Sequence, residues 1–215
     1  MLNTSSPANT AVILDFETTG LSPNQGDRAI EIGAVLLEDG VATQRFQELM
    51  NPGFRVSSFI ESYTGISNHM LQAAPPCDEV MERFYQFIGK HNLVAHNASF
   101  DQRFLAAEFA HIGRQIPGEF ACSMLLSRRL FQDAPNHKLG SLVAYKNIDN
   151  NGVFHRALAD AEMTAKLWLC LLEELNQEYQ LNEPTFTLMQ KISVKSKNAV
   201  SQFLTRSSCR GPKSI

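Results

Sequence analysis

Hydrophobic and polar residues alternate along the first fifty residues in a pattern that predicts β-strands. Residues 11–16 form a short apolar run, and the most apolar residues of 30–36 occupy every second position, which is the period of a strand. The sequence Glu38-Asp39-Gly40 is a hairpin signal, so we expect a further strand over residues 41–49. Together these segments predict an antiparallel meander that ends at Asn51-Pro52-Gly53.

The apolar spacing changes to that of helices after a loop-rich stretch. Apolar residues recur at helical spacing over residues 80–88 and 100–112, and also around 125–131, which predicts three amphipathic helices. Short apolar segments at 93–95 and near Phe120 predict buried strands between them. A long final helix is predicted by apolar residues that share one face: Ala161, Ala165, Trp168, Leu172 and Leu175.

This order of elements predicts an α/β fold and three regions of chain. Strands first, then helices that alternate with short strands, indicate a mixed β-sheet, with an antiparallel meander and parallel strands, flanked by helices. We expect residues 1–9 to be a disordered N-terminus and residues 10–182 to form the folded domain. Residues 183–215 are polar, basic and rich in serine, which predicts a flexible tail, with helical fragments around 186–192.

Composition fits a single globular domain outside the membrane. The chain has 215 residues, of which 44% are hydrophobic and 19% charged, enough to bury a core. No apolar run approaches the roughly 18 residues that a membrane span needs, and no signal-peptide pattern is present. The four cysteines stand singly, as expected of reduced thiols. We therefore expect a soluble, cytoplasmic protein with no membrane partner.

The charge distribution argues against a protein that coats a nucleic acid through a broad basic surface. Residues 1–190 carry 13 basic and 22 acidic side chains, a net charge of −9, whereas six basic residues and no acid follow from Lys191 onward. An acidic body repels phosphate unless bound cations reverse the local field. A phosphate-binding function of this chain therefore requires metal ions.

Three short sequences contain the residues of a metal-dependent catalytic site: LDFETTG at 14–20, AHNASFD at 95–101 and HRALADA at 155–161. Side chains two apart on a strand project from the same face, so Asp15 and Glu17 can share a cation. Asp101 follows at the start of one helix and Asp160 at the start of the last one. His155 stands just ahead of Asp160, where a proton acceptor would be needed.

Each of these residues also has an ordinary explanation when it is considered alone. Two acids at a strand end can be solvated, and an acid in the first turn of a helix is favoured by the helix dipole in any protein. A single histidine is more often a surface or core residue. Four acids brought together would repel one another, however, and a sequence that gathers them is expected to bind about two divalent ions. An imidazole can then exchange the proton of an attacking water near neutral pH.

The three sequences together resemble the motifs of the DEDDh branch of the DnaQ-like exonuclease superfamily, which includes proteins like the epsilon subunit of DNA polymerase III. The resemblance extends over residues 11–175. It implies a ribonuclease H-like fold and 3′ to 5′ hydrolysis that releases nucleoside 5′-monophosphates. It also implies two Mg²⁺ or Mn²⁺ ions, with His155 as the base and four ligands: Asp15, Glu17, Asp101 and Asp160.

The resemblance also implies residues that bind the substrate. Thr18, Gly20 and Leu21 match positions that hold the terminal nucleotide in the family, and Gly65 and Ile66 match a loop that packs against its base. Ile66 is equally compatible with a place in the core.

Two further observations concern the surroundings of the site. His96 and Asn97 lie at a strand-to-helix junction, where polar side chains can orient neighbours or bind a ligand. Many relatives have Asp-Thr where this chain has Cys122-Ser123. That departure affects the bonding beneath the site and leaves the five catalytic positions unchanged.

Three functions remain open from the sequence. The first is an exonuclease acting on single-stranded or frayed DNA ends in proofreading or repair, with a DNA polymerase subunit as a possible partner. The second trims RNA 3′ ends, because the catalytic positions do not distinguish the two sugars. The third is a polymerase-binding or nucleic-acid-binding module that acts through the basic residues 191–215.

Overall fold

A computed structural model describes residues 6–149 and 156–208 of the chain. Within these residues the strands form one five-stranded sheet in the order β3-β2-β1-β4-β5. The strands are β1 (Ala11–Thr18), β2 (Ala29–Glu38), β3 (Val41–Leu49), β4 (Leu93–Ala95) and β5 (Phe120–Cys122). The first three are antiparallel, whereas β4 is parallel to β1 and β5 is parallel to β4. The predicted mixed sheet is confirmed.

Helices cover both faces of the sheet. In chain order they are α1 (Ser58–Thr64), α2 (Asn68–Ala73), α3 (Cys77–Ile88), α4 (Ser99–His111), α5 (Ser123–Leu130), α6 (Leu139–Tyr145), α7 (Ala157–Tyr179), α8 (Phe186–Ser193) and α9 (Val200–Ser208). No helix in the described ranges is long and apolar enough to cross a membrane.

Strand β1 is buried on both faces, and its alternating side chains join two separate cores. Ile13 packs in a cluster that includes Trp168 of α7. Leu14, on the other face, packs in a cluster that includes Phe84 of α3 and Phe104 of α4. Because side chains alternate along a strand, Asp15 and Glu17 lie on the face that α7 covers. The alternation that predicted the strand therefore also determines which helix meets the two acids.

Two short helices, α1 and α2, occupy the stretch that the sequence indicated as loop. Each begins with a serine whose hydroxyl accepts a backbone N–H, Ser57 from Ile60 and Ser67 from Met70. Helices of six or seven residues span fewer than two turns, so their apolar spacing gives almost no periodic signal. The serine caps were the available clue.

The structure differs from the expected disordered N-terminus and flexible basic tail in the described parts of both segments. Met189, Ile192 and Leu204, from α8 and α9, are fully buried in the same cluster as Trp168. The N–H of Ala8 donates to the carbonyl oxygen of Pro184 at 2.9 Å, so residues 6–9 are held against the segment before α8. Apolar residues spaced among polar ones allow these helices to pack, even though the overall composition is polar.

Candidate active site

The end of strand β1 presents two acids to the same side of the sheet. Asp15 lies opposite Gly33 of β2 in the strand register, and Glu17 lies opposite Glu31. Phe16, between them, points into the opposite core. The pairing with β2 becomes irregular between Glu17 and Thr18, so the chain leaves the sheet just beyond the second acid.

Helix α7 adds a third carboxylate from the distant end of the chain. Asp160 stands in the first turn of α7, and this helix packs on β1 and β2. Carboxylate oxygens of Asp15, Glu17 and Asp160 all lie within 4.8 Å of one another. The predicted convergence of these three acids is therefore a property of the fold.

Asp101 approaches the end of strand β1 from helix α4. Its side chain is 2% exposed, in the first turn of α4, and one carboxylate oxygen accepts the N–H of Phe16 at 3.2 Å. In the described part of the chain Asp101 is not among the acids within 4.8 Å of one another. It is nevertheless near enough for its charge to act on Asp15.

The protonation of these carboxyl groups reflects burial and crowding. Burial, followed by the charges of Asp101 and Asp160, raises the pKa of Asp15 well above its usual value. Burial raises the pKa of Glu17 to about 8, with the charge of Asp160 as the next cause. The pKa of Asp101 is also raised to about 8 by burial, although the hydrogen bond from Phe16 opposes this shift. Without cations, the site therefore holds protons near neutral pH.

The donor set suits hard divalent cations. All three grouped side chains offer carboxylate oxygen, the ligand type that Mg²⁺ and Mn²⁺ prefer. The nearby guanidinium of Arg156 is paired with Glu31 at 2.8 Å, and its charge only partly opposes the rise in the pKa of Glu17. Cations would replace the protons and remove the repulsion among the acids. The residues present thus fit a metal site.

The three acids lie at a cavity of about 780 Å³, which is ample for a nucleotide. Its lining includes several of the residues predicted to bind substrate: Thr18, Gly20, Leu21 and His96. Leu21 is 78% exposed and lies at the rim. The hydroxyl of Thr18 donates to the carbonyl oxygen of Gly20 at 2.6 Å, which fixes the turn that follows the two acids.

Three other predicted substrate-binding residues do not line this cavity. Ile66 is fully buried in a small core with Ile30 and Leu71, which agrees with the alternative of a core residue. Gly65 ends α1 in a left-handed conformation with φ 71°. Asn97, exposed and also left-handed with φ 69°, accepts the N–H of Phe100 and so helps to start α4. His155 lies outside the described residues.

His96 is held by two hydrogen bonds beside the acids. Its Nε2 lies 3.0 Å from the carbonyl oxygen of His137, and since a carbonyl only accepts, Nε2 donates. Its Nδ1, 2.9 Å from the hydroxyl of Ser123, is then an acceptor. Burial lowers the pKa of His96 to about 4, so the ring is neutral at pH 7. The unusual Ser123 thus orients a residue that lines the cavity.

Aromatic side chains along the cavity were missed by the sequence reasoning. Phe59 and Tyr63 are 70% and 52% exposed, and their rings stack with centroids 5.9 Å apart and planes 14° apart. Phe100, at the start of the helix predicted over residues 100–112, also lines the cavity. The available signal was the spacing of four between Phe59 and Tyr63, which places two rings on one face of a helix.

Comparisons with known proteins agree with this geometry. A family model of the RNase T type, described as Exonuclease, matches residues 12–168. The chain is 31% identical over 175 residues to DNA polymerase III subunit epsilon of Aquifex aeolicus (strain VF5), which covers 81% of this chain and 86% of that protein. It is 38% identical over 183 residues to 3′-5′ exonuclease DinG of Bacillus subtilis (strain 168). That match covers 85% of this chain but only 19% of the relative, so the chain spans about a fifth of its length.

A solved structure shows the same architecture. Exonuclease X in complex with 5′ overhanging duplex DNA superposes with a TM-score of 0.67 and 28% sequence identity, covering 85% of this chain and 99% of that one. The predicted ribonuclease H-like fold is therefore confirmed.

Proposed function

Because this chain belongs to the exonuclease family of the DEDDh, DnaQ-like type, we propose that it hydrolyses single-stranded or frayed DNA from the 3′ end and releases nucleoside 5′-monophosphates. The observation that supports this most is the group of three carboxylates within 4.8 Å of one another at a nucleotide-sized cavity. A cavity without acids, or acids without a cavity, would not support it.

The proposed roles follow from the position of each side chain. Asp15, Glu17 and Asp160, together with Asp101 from α4, would hold two divalent cations. Such cations supply the positive charge that stabilises both the attacking and the leaving oxygen of an in-line displacement. His155 is proposed as the base that takes the proton of the attacking water.

The aromatic rim supports a single-stranded end as substrate. Unpaired bases expose their faces, and stacking of a base on an aromatic side chain contributes about 1–3 kcal/mol. Phe59 and Tyr63 offer such faces at the cavity, and Leu21 lies at its rim. A paired end would have to fray before its terminal base could reach them.

The turn after the two acids brings Gly20 to the cavity and is held by Asp27. The carboxylate of Asp27 accepts the N–H of Ser22 at 2.9 Å and the hydroxyl of Thr19 at 3.3 Å. A Cβ atom at Gly20 would overlap this carboxylate. Glycine is therefore needed for the close contact with Asp27, which keeps the turn compact at the cavity where the terminal nucleotide is proposed to bind.

DNA is proposed as the substrate because the matched relative of similar length is a DNA polymerase III subunit. A DNA polymerase subunit is proposed as a partner on the same ground. Association with a polymerase would make proofreading the role, whereas a chain that works alone would serve in repair.

The experiment compares DNA and RNA oligonucleotides of identical sequence, labelled at the 5′ end, with Mg²⁺, with Mn²⁺ and with EDTA. The proposal predicts a ladder that shortens from the 3′ end of the DNA and requires metal. Asp15→Asn should abolish the ladder, whereas Asp39→Asn, the same change in an exposed turn, should leave it intact. Faster loss of the RNA would replace DNA by RNA as substrate, and no metal-dependent shortening of either would refute the proposal.

A further inference from the structure

A fully buried glutamate lies beside the group of three acids without belonging to it. Glu31 stands opposite Glu17 in the β1–β2 register and is 0% exposed. Its carboxylate accepts Nη2 of Arg156 at 2.8 Å and Nε of Arg156 at 3.1 Å. It also accepts the side-chain amide of Gln47 at 2.9 Å. This is a two-point Arg–carboxylate pair, the most orientation-dependent form of ion pair.

The same carboxylate also binds the backbone at the start of α7. The N–H of Ala157, the first residue of α7, donates to Oε2 of Glu31 at 3.2 Å. Arg156, directly before it, uses its own N–H to donate to Oδ2 of Asp160 at 3.3 Å. Glu31 therefore holds the side chain of Arg156, directly before α7, and the backbone of Ala157, in the same first turn as Asp160.

Strand β2 is also shaped to receive the start of this helix. Gly33 lies two residues beyond Glu31 on the same face of the strand, opposite Asp15. A Cβ atom at Gly33 would overlap the backbone of Ala157 and Leu158. The first turn of α7 thus packs directly on strand β2, and hydrogen bonds to Glu31 hold it there.

These contacts matter because the negative charges of the site repel one another. Asp160 repels Asp15 and Glu17 when all three are ionised and no cation is bound between them. Attachments that hold the first turn of α7 on the sheet keep Asp160 in place against this repulsion. The Glu31–Arg156 pair and the bond to Ala157 are attachments of this kind, one helical turn from Asp160.

We propose that Glu31 and Arg156 are positioning residues that fix Asp160 against Asp15 and Glu17 and thereby set the affinity of the site for divalent cations. This inference rests on the proposed function, since it assumes that these acids bind cations.

The chain contains a matched pair that serves as a control. Glu108 of α4, 2% exposed, accepts Nε of Arg28 at 2.9 Å and its Nη2 at 2.8 Å. It also accepts the backbone N–H of Ala29 at 3.0 Å. The chemistry is that of the Glu31–Arg156 pair, but this pair joins α4 to the start of β2 and does not touch α7.

The test compares Arg156→Lys with Arg28→Lys. Lysine keeps the positive charge but cannot reproduce the two-point contact, so a change in cation affinity reports geometry rather than net charge. Mn²⁺ binding is measured by titration calorimetry on the full chain, together with the melting temperature without metal. Loss of a residue that positions a metal ligand typically lowers the affinity for the metal about 10–100-fold.

We expect Arg156→Lys to raise the dissociation constant for Mn²⁺ about 10-fold, with the KM for oligonucleotide unchanged. Arg28→Lys should lower the melting temperature to a similar extent and leave Mn²⁺ affinity as in the wild type. Equal Mn²⁺ affinity in the wild type and Arg156→Lys would overturn the inference. So would an equal loss of affinity in both variants, which would indicate a general structural effect.

If Arg156→Lys does not fold, Gln47→Ala provides a milder test. This substitution removes one hydrogen bond to Glu31 from an exposed position on β3. We again expect a reduced affinity for Mn²⁺. Wild-type affinity would count against the inference. A wild-type chain that binds no Mn²⁺ would instead refute the proposed function. The two failures are therefore distinguishable.

Discussion

Divalent cations should stabilise this protein, and the stabilisation should depend strongly on pH. Asp15, Glu17 and Asp160 place carboxylate oxygens within 4.8 Å of one another. At a separation of 4.8 Å, with an effective dielectric constant of about 20, each ionised pair repels by about 3.5 kcal/mol. Without cations the folded protein avoids this repulsion by binding protons, as the raised pKa values of Asp15 and Glu17 indicate.

The sign of the pH dependence follows from those shifts. Glu17 and Asp101 have pKa values near 8 in the folded chain, against about 4 for free carboxyl groups. Between these values the folded state binds more protons than the unfolded state, so the free energy of unfolding falls as pH rises. Stability without metal is therefore expected to decline from about pH 4 to about pH 8. Bound cations should reverse that decline.

The size of the metal effect follows from mass action. A ligand at 100 times its dissociation constant stabilises the folded state by about 2.7 kcal/mol. For a chain of this length, each kcal/mol raises Tm by about 2–4 °C, so saturating Mn²⁺ should raise it by about 5–11 °C. The rise in Tm caused by Mn²⁺ should be largest near pH 8, where protons no longer compete with the cation for the carboxylates.

Differential scanning fluorimetry of EDTA-treated protein at pH 5 and pH 8, with and without Mn²⁺, measures this directly. Asp15→Asn should remove most of the increment, whereas Asp39→Asn, in an exposed turn, should retain it. A Tm indifferent to Mg²⁺ and Mn²⁺ at pH 8, or an equal increment in Asp15→Asn, would show that the acids do not form a cation site.

Three further predictions concern catalysis, substrate and fold. His155→Ala should keep Mn²⁺ binding but slow hydrolysis by about 10²–10⁴-fold, and calorimetry that showed lost metal would make it a ligand instead. The double change Phe59→Ala and Tyr63→Ala should raise the KM for single-stranded DNA, since each base stack contributes about 1–3 kcal/mol; an unchanged KM in steady-state assays would remove the rings from the substrate site. Leu204→Ala should lower the free energy of unfolding by about 2–5 kcal/mol, because it opens a cavity in a packed core. The denaturation midpoint of this variant should be lower than that of a Ser201→Ala control. If the tail were flexible, the two midpoints would be equal.

The sequence predicted the parts of the site that depend on local rules. Asp15 and Glu17 share a face because side chains alternate along a strand. Asp160 begins a helix whose apolar face, including Trp168, had to pack on that sheet. Those two facts place each acid locally, whereas the expectation that the three acids converge came from the resemblance of the three motifs to the exonuclease family.

The parts that the sequence did not predict depend on contacts between distant segments. Glu31 lies in a strand whose alternation marks every second residue as less apolar, yet it is fully buried because α7 covers that face. Its partner, Arg156, is 125 residues away, and no local pattern joins the two. Phe59 and Tyr63 were missed because α1 is too short to show a helical period.

The basic composition of residues 183–215 was a misleading guide to the described part, α8 and α9, for a similar reason. The charges of α8 and α9 lie among polar residues that face solvent, while Met189, Ile192 and Leu204 pack into the core. Average composition does not reveal such a division, since a few buried side chains suffice to order a short helix against an existing core.

An X-ray structure of Mn²⁺-soaked crystals, with anomalous data collected at the manganese edge, would show directly whether these acids bind paired cations. We expect two anomalous peaks about 4 Å apart, in contact with Asp15 and with carboxylates drawn from Glu17, Asp101 and Asp160. Crystals with manganese bound elsewhere, or with no peak beside Asp15 and Asp160, would contradict this expectation.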